Sequence, residues 1–378
     1  MKIILAPDKY KGSLTGIEFC NTVEKGLKSL ITNAEIIKLP LADGGDGTIE
    51  ILGFHLEANH IKLKVNDPLF RPIEASYLFI TQTKTAFIEM AEASGMKLLS
   101  SNDQNCMNTT TYGTGELILD AIKRGAKTII LGLGGSATND CGIGMATALG
   151  YKFLDSKNKE IIPVGKNMCK IKTIETSKVN STLKEITFKV ACDVKNPLYG
   201  QNGAAFIYAQ QKGASQNEII YLNKGLEHIA RIFQKEFNID IQNIEGAGAA
   251  GGMGAGSIIF LNARLISGID LIKEIINFDK KIKEADWIIT GEGKLDSQTL
   301  SGKTIQGVLT SAKNYNIRVA ALCGAILLSE KSLKSLGFSY TASIMDKAID
   351  VEDAMLNSSK YLYEISSQFA KFINDTTI

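Results

Sequence analysis

Residues Lys127 to Asp155, KTIILGLGGSATNDCGIGMATALGYKFLD, limit the fold of this chain more than any other stretch. The β-branched run Thr128 to Leu131 reads as a strand, Gly132, Gly134 and Gly135 as a turn, and the remainder as a helix followed by a second strand. Ser136 or Thr138 is placed to cap that helix with a hydroxyl oxygen, and Gly150 stands where a helix-ending glycine belongs. A strand running through glycines into a helix aims several N–H groups and the positive helix end at one point. Such a point binds anions, most often phosphate. Asn139 and Asp140 follow at once, within reach of a metal or a substrate hydroxyl. The same residues fit another pattern. Gly132-x-Gly134-x-x-Ala137, with Asp155 ending the next strand, matches the dinucleotide fingerprint, whose acidic residue lies ~20 residues on. A second match, Gly246-x-Gly248-x-x-Gly251, weakens the inference, because a chain with 35 glycines produces such spacings readily. A nicotinamide loop, a purely structural turn and a phosphate or carboxylate loop all stay open.

At 378 residues the chain exceeds what one core usually fills, so two domains are expected. A net charge of +2 gives no basic field, which argues against a nucleic-acid partner. The opening MKIILAPDKYKG lacks the long apolar run of a signal peptide. The weakly polar run Ala247 to Ala263 is broken by glycine and too poor in large apolar residues for a membrane span. Cys20, Cys106, Cys141, Cys169, Cys192 and Cys323 form no C-x-x-C pair and read as reduced thiols of a cytoplasmic protein. Only His55, His60 and His228 are present, which argues against a zinc site or a Ser–His hydrolase.

Strand, loop and helix alternate at both ends of the chain. Lys2 to Ala6 is an apolar strand, Thr15-x-x-Glu18 a capping box, and Ile17, Cys20, Val23, Leu27 and Leu30 recur at helical spacing. Ile36 to Leu39 is the next strand. Near the C-terminus Trp287 to Thr290 and Arg318 to Leu322 are strands, and Val351 to Ile373 reads as one long amphipathic helix. The middle differs. Ala75 to Ile80 and Thr85 to Ala91 form a hairpin pattern, a helix ends near Gly125, Ile186 to Ala191 is a strand and Asn217 to Phe237 a helix. The second glycine loop, Gly246 to Gly256, precedes a helix through Leu265. The pattern predicts an α/β protein with a discontinuous doubly wound domain, residues 1–60 and 280–378. An inserted α/β domain, residues 61–279, completes it, with the active site in the cleft between the two.

Loops that follow predicted strands carry the acids: Asp8; Asp43 and Asp46; Asp193; Glu292 and Asp296. Any one of them reads as a turn or cap residue. Together with Lys9, Lys11 and two glycine loops they fit phosphoryl transfer. That chemistry needs phosphate cradles, a carboxylate-held Mg²⁺, a cation on the migrating group and an acid to accept the hydroxyl proton. Ser297 to Thr304 ends like a Walker A loop, but serine replaces its first glycine. A helix start and a phosphate contact through Lys303 are both compatible with it.

The segments APDKYKGSLT, LADGGDGT, TYGTGE, GLGGSATND, DVKNPLYG, QKGA, GAGAAGGMG and TGEGKLDSQTLSGK occur in that order. They span residues 1 to 310 and together resemble the glycerate kinase family of the bacterial type. The resemblance implies ATP-dependent phosphorylation of D-glycerate to 2- or 3-phosphoglycerate. It also implies a flavodoxin-like domain with an inserted, restriction-enzyme-like one. Lys9-Tyr10 stands where the family has Ser-Phe, Asp46 where Glu is usual, Cys141 where Gly is usual, and Ser267 where Pro is common. Lys11, Gly12 and Ser13 are retained.

Asp193, Asp43 and Lys11 are the expected catalytic residues, and Asp43 and Asp46 the expected Mg²⁺ ligands. Substrate and phosphate contacts are expected from Asp8, Lys9 and Ser13, from Gly134, Gly135, Ser136, Thr138 and Asn139, and from Asn196. The last loop is expected to add Gly291, Glu292, Gly293, Asp296, Gln298 and Lys303. Two other readings compete: an NAD(P)-dependent oxidoreductase using Gly132 to Asp155, and a non-catalytic glycerate-binding or sensor protein. ATP and D-glycerate are the expected partners, with no nucleic acid and no membrane, and no oligomeric state follows from the residues.

Overall fold

A computed structural model describes residues 1–44, 48–296 and 304–376. Asp46, Gln298 and Lys303 lie outside the described residues. Strands β1 (Lys2–Leu5) and β2 (Glu35–Lys38) open the chain. There follow β3 (Asn59–Asn66), β4 (Pro72–Ile80), β5 (Thr85–Glu89), β6 (Thr128–Gly132), β7 (Lys152–Leu154), β8 (Thr173–Glu175), β9 (Thr187–Ala191) and β10 (Arg264–Ile266). β11 (Trp287–Thr290), β12 (Lys294–Leu295), β13 (Arg318–Cys323), β14 (Ala325–Ile326) and β15 (Phe338–Ser343) close it. These elements form two compact units. One comprises Met1–Asp43, Glu50–His55 and Ile269–Ile378, the other Gly44–Ile49 and Leu56–Gly268. No described helix is long and apolar enough to cross a membrane.

In the first unit the sheet order is β15-β13-β11-β1-β2, with every pairing parallel. β11 is buried along its whole length, and β1 and β13 all but at their first residues. An inner parallel strand is covered on both faces, so it reads as a continuous apolar run rather than an alternation. Counted within this unit alone, the order is 2-1-3-4-5, the flavodoxin-like winding. Its direction reverses between β1 and β11, where such sheets place their ligands. The two chain exits there are tied together: the Ala6 N–H donates to the Ile289 carbonyl and the Asp8 N–H to that of Gly291, both at 2.8 Å.

The helix Gly16–Lys28 begins as its sequence predicts. Thr15 Oγ1 accepts from the Glu18 N–H, and the Glu18 carboxylate accepts from the Thr15 N–H. It ends at Lys28, before Leu30. The single helix expected over Val351 to Ile373 is two, Val351–Leu356 and Ser358–Thr376. Asn357 breaks it by donating its side-chain amide to Asp353, the local competition that makes asparagine a poor helix-interior residue. Trp287 packs edge-on against Phe369 at 5.0 Å, joining β11 to that last helix.

The second unit has a six-stranded sheet, β10-β9-β6-β5-β4-β3, parallel from β10 to β5 and antiparallel beyond. The expected hairpin is β4 and β5, paired through Leu78 and Phe87. The glycine stretch departs from expectation. β6 forms, but the helix after it covers only Ile143–Ala148, its cap position is Gly142, and neither Ser136 nor Thr138 caps it. β7 pairs antiparallel with β8 in a separate two-stranded sheet instead of lying parallel beside β6. Asp155 spends its carboxylate on the Lys157 and Lys159 N–H groups of its own turn. The strand–helix–strand unit of a dinucleotide site is therefore not formed, and the oxidoreductase reading of Gly132 to Asp155 fails on topology.

The second glycine loop is corrected too. A helix, Ala249–Leu261, begins inside it, with Ala250, Gly251 and Gly252 at positive φ, and Leu265 belongs to β10. A Cβ on Gly251 would stand 2.1 Å from the Thr138 carbonyl. The two glycine loops pack backbone to backbone.

Candidate functional site

A cavity of about 840 Å³ opens in the first unit beyond the C-terminal ends of β1, β11 and β13. Its polar wall comes from three loops of that sheet: Asp8 to Ser13 after β1, Asp43 after β2, and Glu292 to Asp296 after β11. Asp8 is held at both oxygens. Oδ1 accepts from the Lys9 N–H at 2.7 Å and Oδ2 from the Thr304 hydroxyl at 2.6 Å. Burial, followed by the Asp43 charge, pushes its carboxyl up to about 6, against the opposing pull of Thr304 and Lys9. Two carboxylates thus share one partly desolvated space.

The loop after β1 is a closed turn. The Tyr10 N–H donates to the Leu14 carbonyl and the Ser13 N–H to that of Tyr10. The Tyr10 hydroxyl is pinned to the Leu322 carbonyl at 2.6 Å. This turn presents Lys9, Lys11 and Ser13 to the cavity, and the Ser13 hydroxyl is buried with no partner among the described residues. A buried hydroxyl left unpaired is costly, so it marks a place where a ligand oxygen fits. On the opposite side the Gly324 and Ala325 N–H groups donate to the Glu292 and Gly293 carbonyls, both at 3.0 Å. Lys294 stands 3.2 Å from the Asp296 carboxylate.

Of the expected site residues, Asp8, Lys9, Lys11, Ser13, Asp43, Glu292, Gly293 and Asp296 line this one cavity. Gly291 lies beneath it, its carbonyl taken by the Asp8 N–H. The other described ones belong to the second unit. Asp193 follows β9 and accepts from the Gly268 N–H at 2.9 Å. Asn196 accepts from the Tyr208 hydroxyl and donates to the Asn202 carbonyl. In the glycine loop Gly135 is exposed and Gly134 half-buried, whereas Thr138, Asn139 and Asp140 have no exposure. Asp140 accepts from the Thr111 N–H and hydroxyl and from the Gly142 and Gly144 N–H groups. The Thr138 hydroxyl and both polar atoms of the Asn139 side chain are buried without partners among the described residues.

Three residues escaped the sequence reading. Lys294 lines the cavity, Thr304 holds Asp8, and Lys212 lies buried with its ammonium donating to Ser136 Oγ at 2.7 Å and the Thr138 carbonyl at 2.8 Å. The first two sit inside motifs already singled out, without having been named as site residues. Lys212 offered only its place in the polar Gln210 to Ala214 segment.

The donor set suits a Mg²⁺ ion, which takes one or two carboxylates and completes its shell with phosphate oxygens and water. Asp8 and Asp43 are the carboxylates the cavity brings close enough to feel each other. Among the described residues no three His, Cys, Asp or Glu side chains stand together as a metal cage. Bound phosphate and water would complete the ion's shell.

A family model described as the glycerate kinase family matches residues 3–374. The chain is 40% identical over 368 residues to a glycerate kinase of Halalkalibacterium halodurans, covering 97% of each. It is 42% identical over 326 residues to a glycerate 2-kinase of Escherichia coli, covering 86% of each. The crystal structure of a glycerate kinase 2 candidate from Salmonella typhimurium LT2 superposes with a TM-score of 0.89 at 35% identity, covering 100% of this chain and 99% of that one. With a match that runs from β1 into the final helix, the chain belongs to the glycerate kinase family and is a kinase.

Proposed function

We propose that the protein transfers the terminal phosphoryl group of ATP to the C2 hydroxyl of D-glycerate, with Mg²⁺ bound by Asp43 and Asp8. The observation that carries this reading is the switch-point cavity, where the buried Ser13 hydroxyl, without a partner among the described residues, stands among lysines and two mutually repelling carboxylates. The choice of C2 is supported by the name of the Escherichia coli relative, a glycerate 2-kinase.

Phosphoryl transfer asks little covalent chemistry of a protein and much positioning and charge. Lys9, Lys11 and Ser13 are the groups to meet phosphate oxygens, with Lys11 facing the migrating one. When bound, Mg²⁺ would neutralise charge on the donor phosphates. Asp43 or Asp193 takes the proton of the attacking hydroxyl. Gly134 and Gly135, at the open rim of the glycine loop, are proposed to offer backbone N–H groups to a substrate oxyanion, and Asn196 to orient it.

The test is turnover of purified protein with ATP, Mg²⁺ and D-glycerate, followed by phosphorus NMR of the product. ADP release that needs both glycerate and Mg²⁺ is expected. The new phosphorus signal should be a doublet, because a phosphate on C2 couples to a single proton. A triplet would move transfer to C3, and tight glycerate binding without ADP release would mean a binding protein.

A further inference from the structure

The cavity's second wall is apolar, and the polar wall leaves it unexplained. The helix Val351–Leu356 is locked at its start: Asp350 accepts from the Asp353 N–H at 2.8 Å, and Asp353 in turn accepts from the Ile349 N–H and the Tyr361 hydroxyl. Its residues Val351, Ala354 and Met355, spaced i, i+3 and i+4 and so on one helix face, line the cavity. Further lining residues come from the short ribbon of β12 and β14, which pairs Lys294 with Ala325 and Leu295 with Ile326. Ile326 and Leu327 line the cavity beside Lys294. Leu327 is 63% exposed and Val351 64%, too open for residues that serve the core. An amphipathic helix normally turns such a face inward.

We propose that this slot holds the purine base of the phosphoryl donor, the base lying between Leu327 and Val351 while its phosphates run toward Lys294, Lys9 and Lys11. The inference rests on the kinase reading above and adds where the nucleotide lies and in which direction. Two features of the cavity select this occupant. An apolar slot continuous with a lysine-bearing wall matches a molecule with a flat, weakly polar end and a polyanionic end. The volume of about 840 Å³ far exceeds what a small hydroxy acid needs and falls within the range of a nucleotide-sized ligand. The helix caps also hold the slot's wall in place before anything binds, which lowers the ordering cost of binding.

The experiment compares wild type with the double variant Leu327→Asn/Val351→Asn. Both changes are neutral and lie at exposed positions, so phosphates meet no new charge and the core is untouched. Calorimetric titration with ADP and with tripolyphosphate separates base from phosphate. Loss of the two apolar contacts should weaken ADP binding about tenfold or more, leave tripolyphosphate binding unchanged, and raise KM for ATP without changing KM for glycerate. Equal weakening of both ligands, or unchanged ADP binding, overturns the slot. If wild type fails to phosphorylate glycerate yet ADP binding follows the expected pattern, the substrate assignment falls while the slot stands.

Discussion

Two glycine-bearing regions look alike as sequence and differ in where they leave their polar groups. In the loops after β1 and β11, Asp8, Lys9, Glu292 and Asp296 emerge into an open cavity, and the Ser13 hydroxyl stays unpaired at its wall. In the loop after β6 the polar side chains turn inward: Asp140 takes donors from Thr111, Gly142 and Gly144, and Lys212 ties Ser136 to the Thr138 carbonyl. The glycines packed against this second loop are required by its backbone: a Cβ on Gly251 would stand 2.1 Å from the Thr138 carbonyl and one on Gly256 2.4 Å from that of Cys141. A glycine-rich motif therefore reports close approach, and burial of its neighbours tells whether the approaching partner is the protein itself or a ligand.

The largest expected effect that separates the two regions is on stability. Asp140→Ala strands four buried donors and should lower unfolding free energy by about 3–5 kcal/mol in denaturant titration. A variant with wild-type stability would remove the claim that this loop is a packed knot.

Next in size is a pH effect from Lys212. Burial pushes its ammonium down from 10.5 to about 8. Below pH 8 the folded protein bears the full cost of keeping that charge buried. Between pH 8 and 10.5 the folded state releases the proton while the unfolded chain retains it, so stability rises with pH across that window. The gain of wild type over Lys212→Met across the window has a ceiling of about 3 kcal/mol. A flat difference between the two would mean that Lys212 meets more water, or a counter-charge, than its surroundings suggest.

The smallest effect sharpens the comparison at its margin. Gly135 has φ +71°, and a Cβ there would meet Ala91 Cβ at 3.2 Å. Gly135→Ala should lose about 1–2 kcal/mol of stability. It should also lower kcat/KM for glycerate if the exposed rim serves a substrate oxyanion. Unchanged kinetics would take Gly135 out of the site.

Much of this was legible in the residues, for identifiable reasons. The strands β1, β11 and β13 are continuous apolar runs, which only an inner parallel strand tolerates, and the Thr15–Glu18 box fixed a helix start to the residue. Asp8, Glu292 and Asp296 were visible because they follow such strands, whereas Asp43 follows the edge strand β2. What failed was local. The helix after β6 begins at Ile143, past both cap candidates: Lys212 donates to the Ser136 hydroxyl, and the position before the helix is Gly142 in the left-handed region. The break at Asn357 sits inside an unbroken helical periodicity. The apolar slot was unreadable, because Leu327, Val351 and Met355 look like core residues until their exposure is known.

The proposed chemistry depends on carboxylates that the fold leaves at strand ends. Asp43→Asn tests it most directly, being near-isosteric and thus a change of charge more than of packing. Its kcat should fall by on the order of 10²–10⁴ with an unaltered denaturation midpoint, and Asp193→Asn should show the same pattern if it takes the hydroxyl proton. A folded Asp43→Asn enzyme whose kcat stays within about threefold of wild type would contradict it.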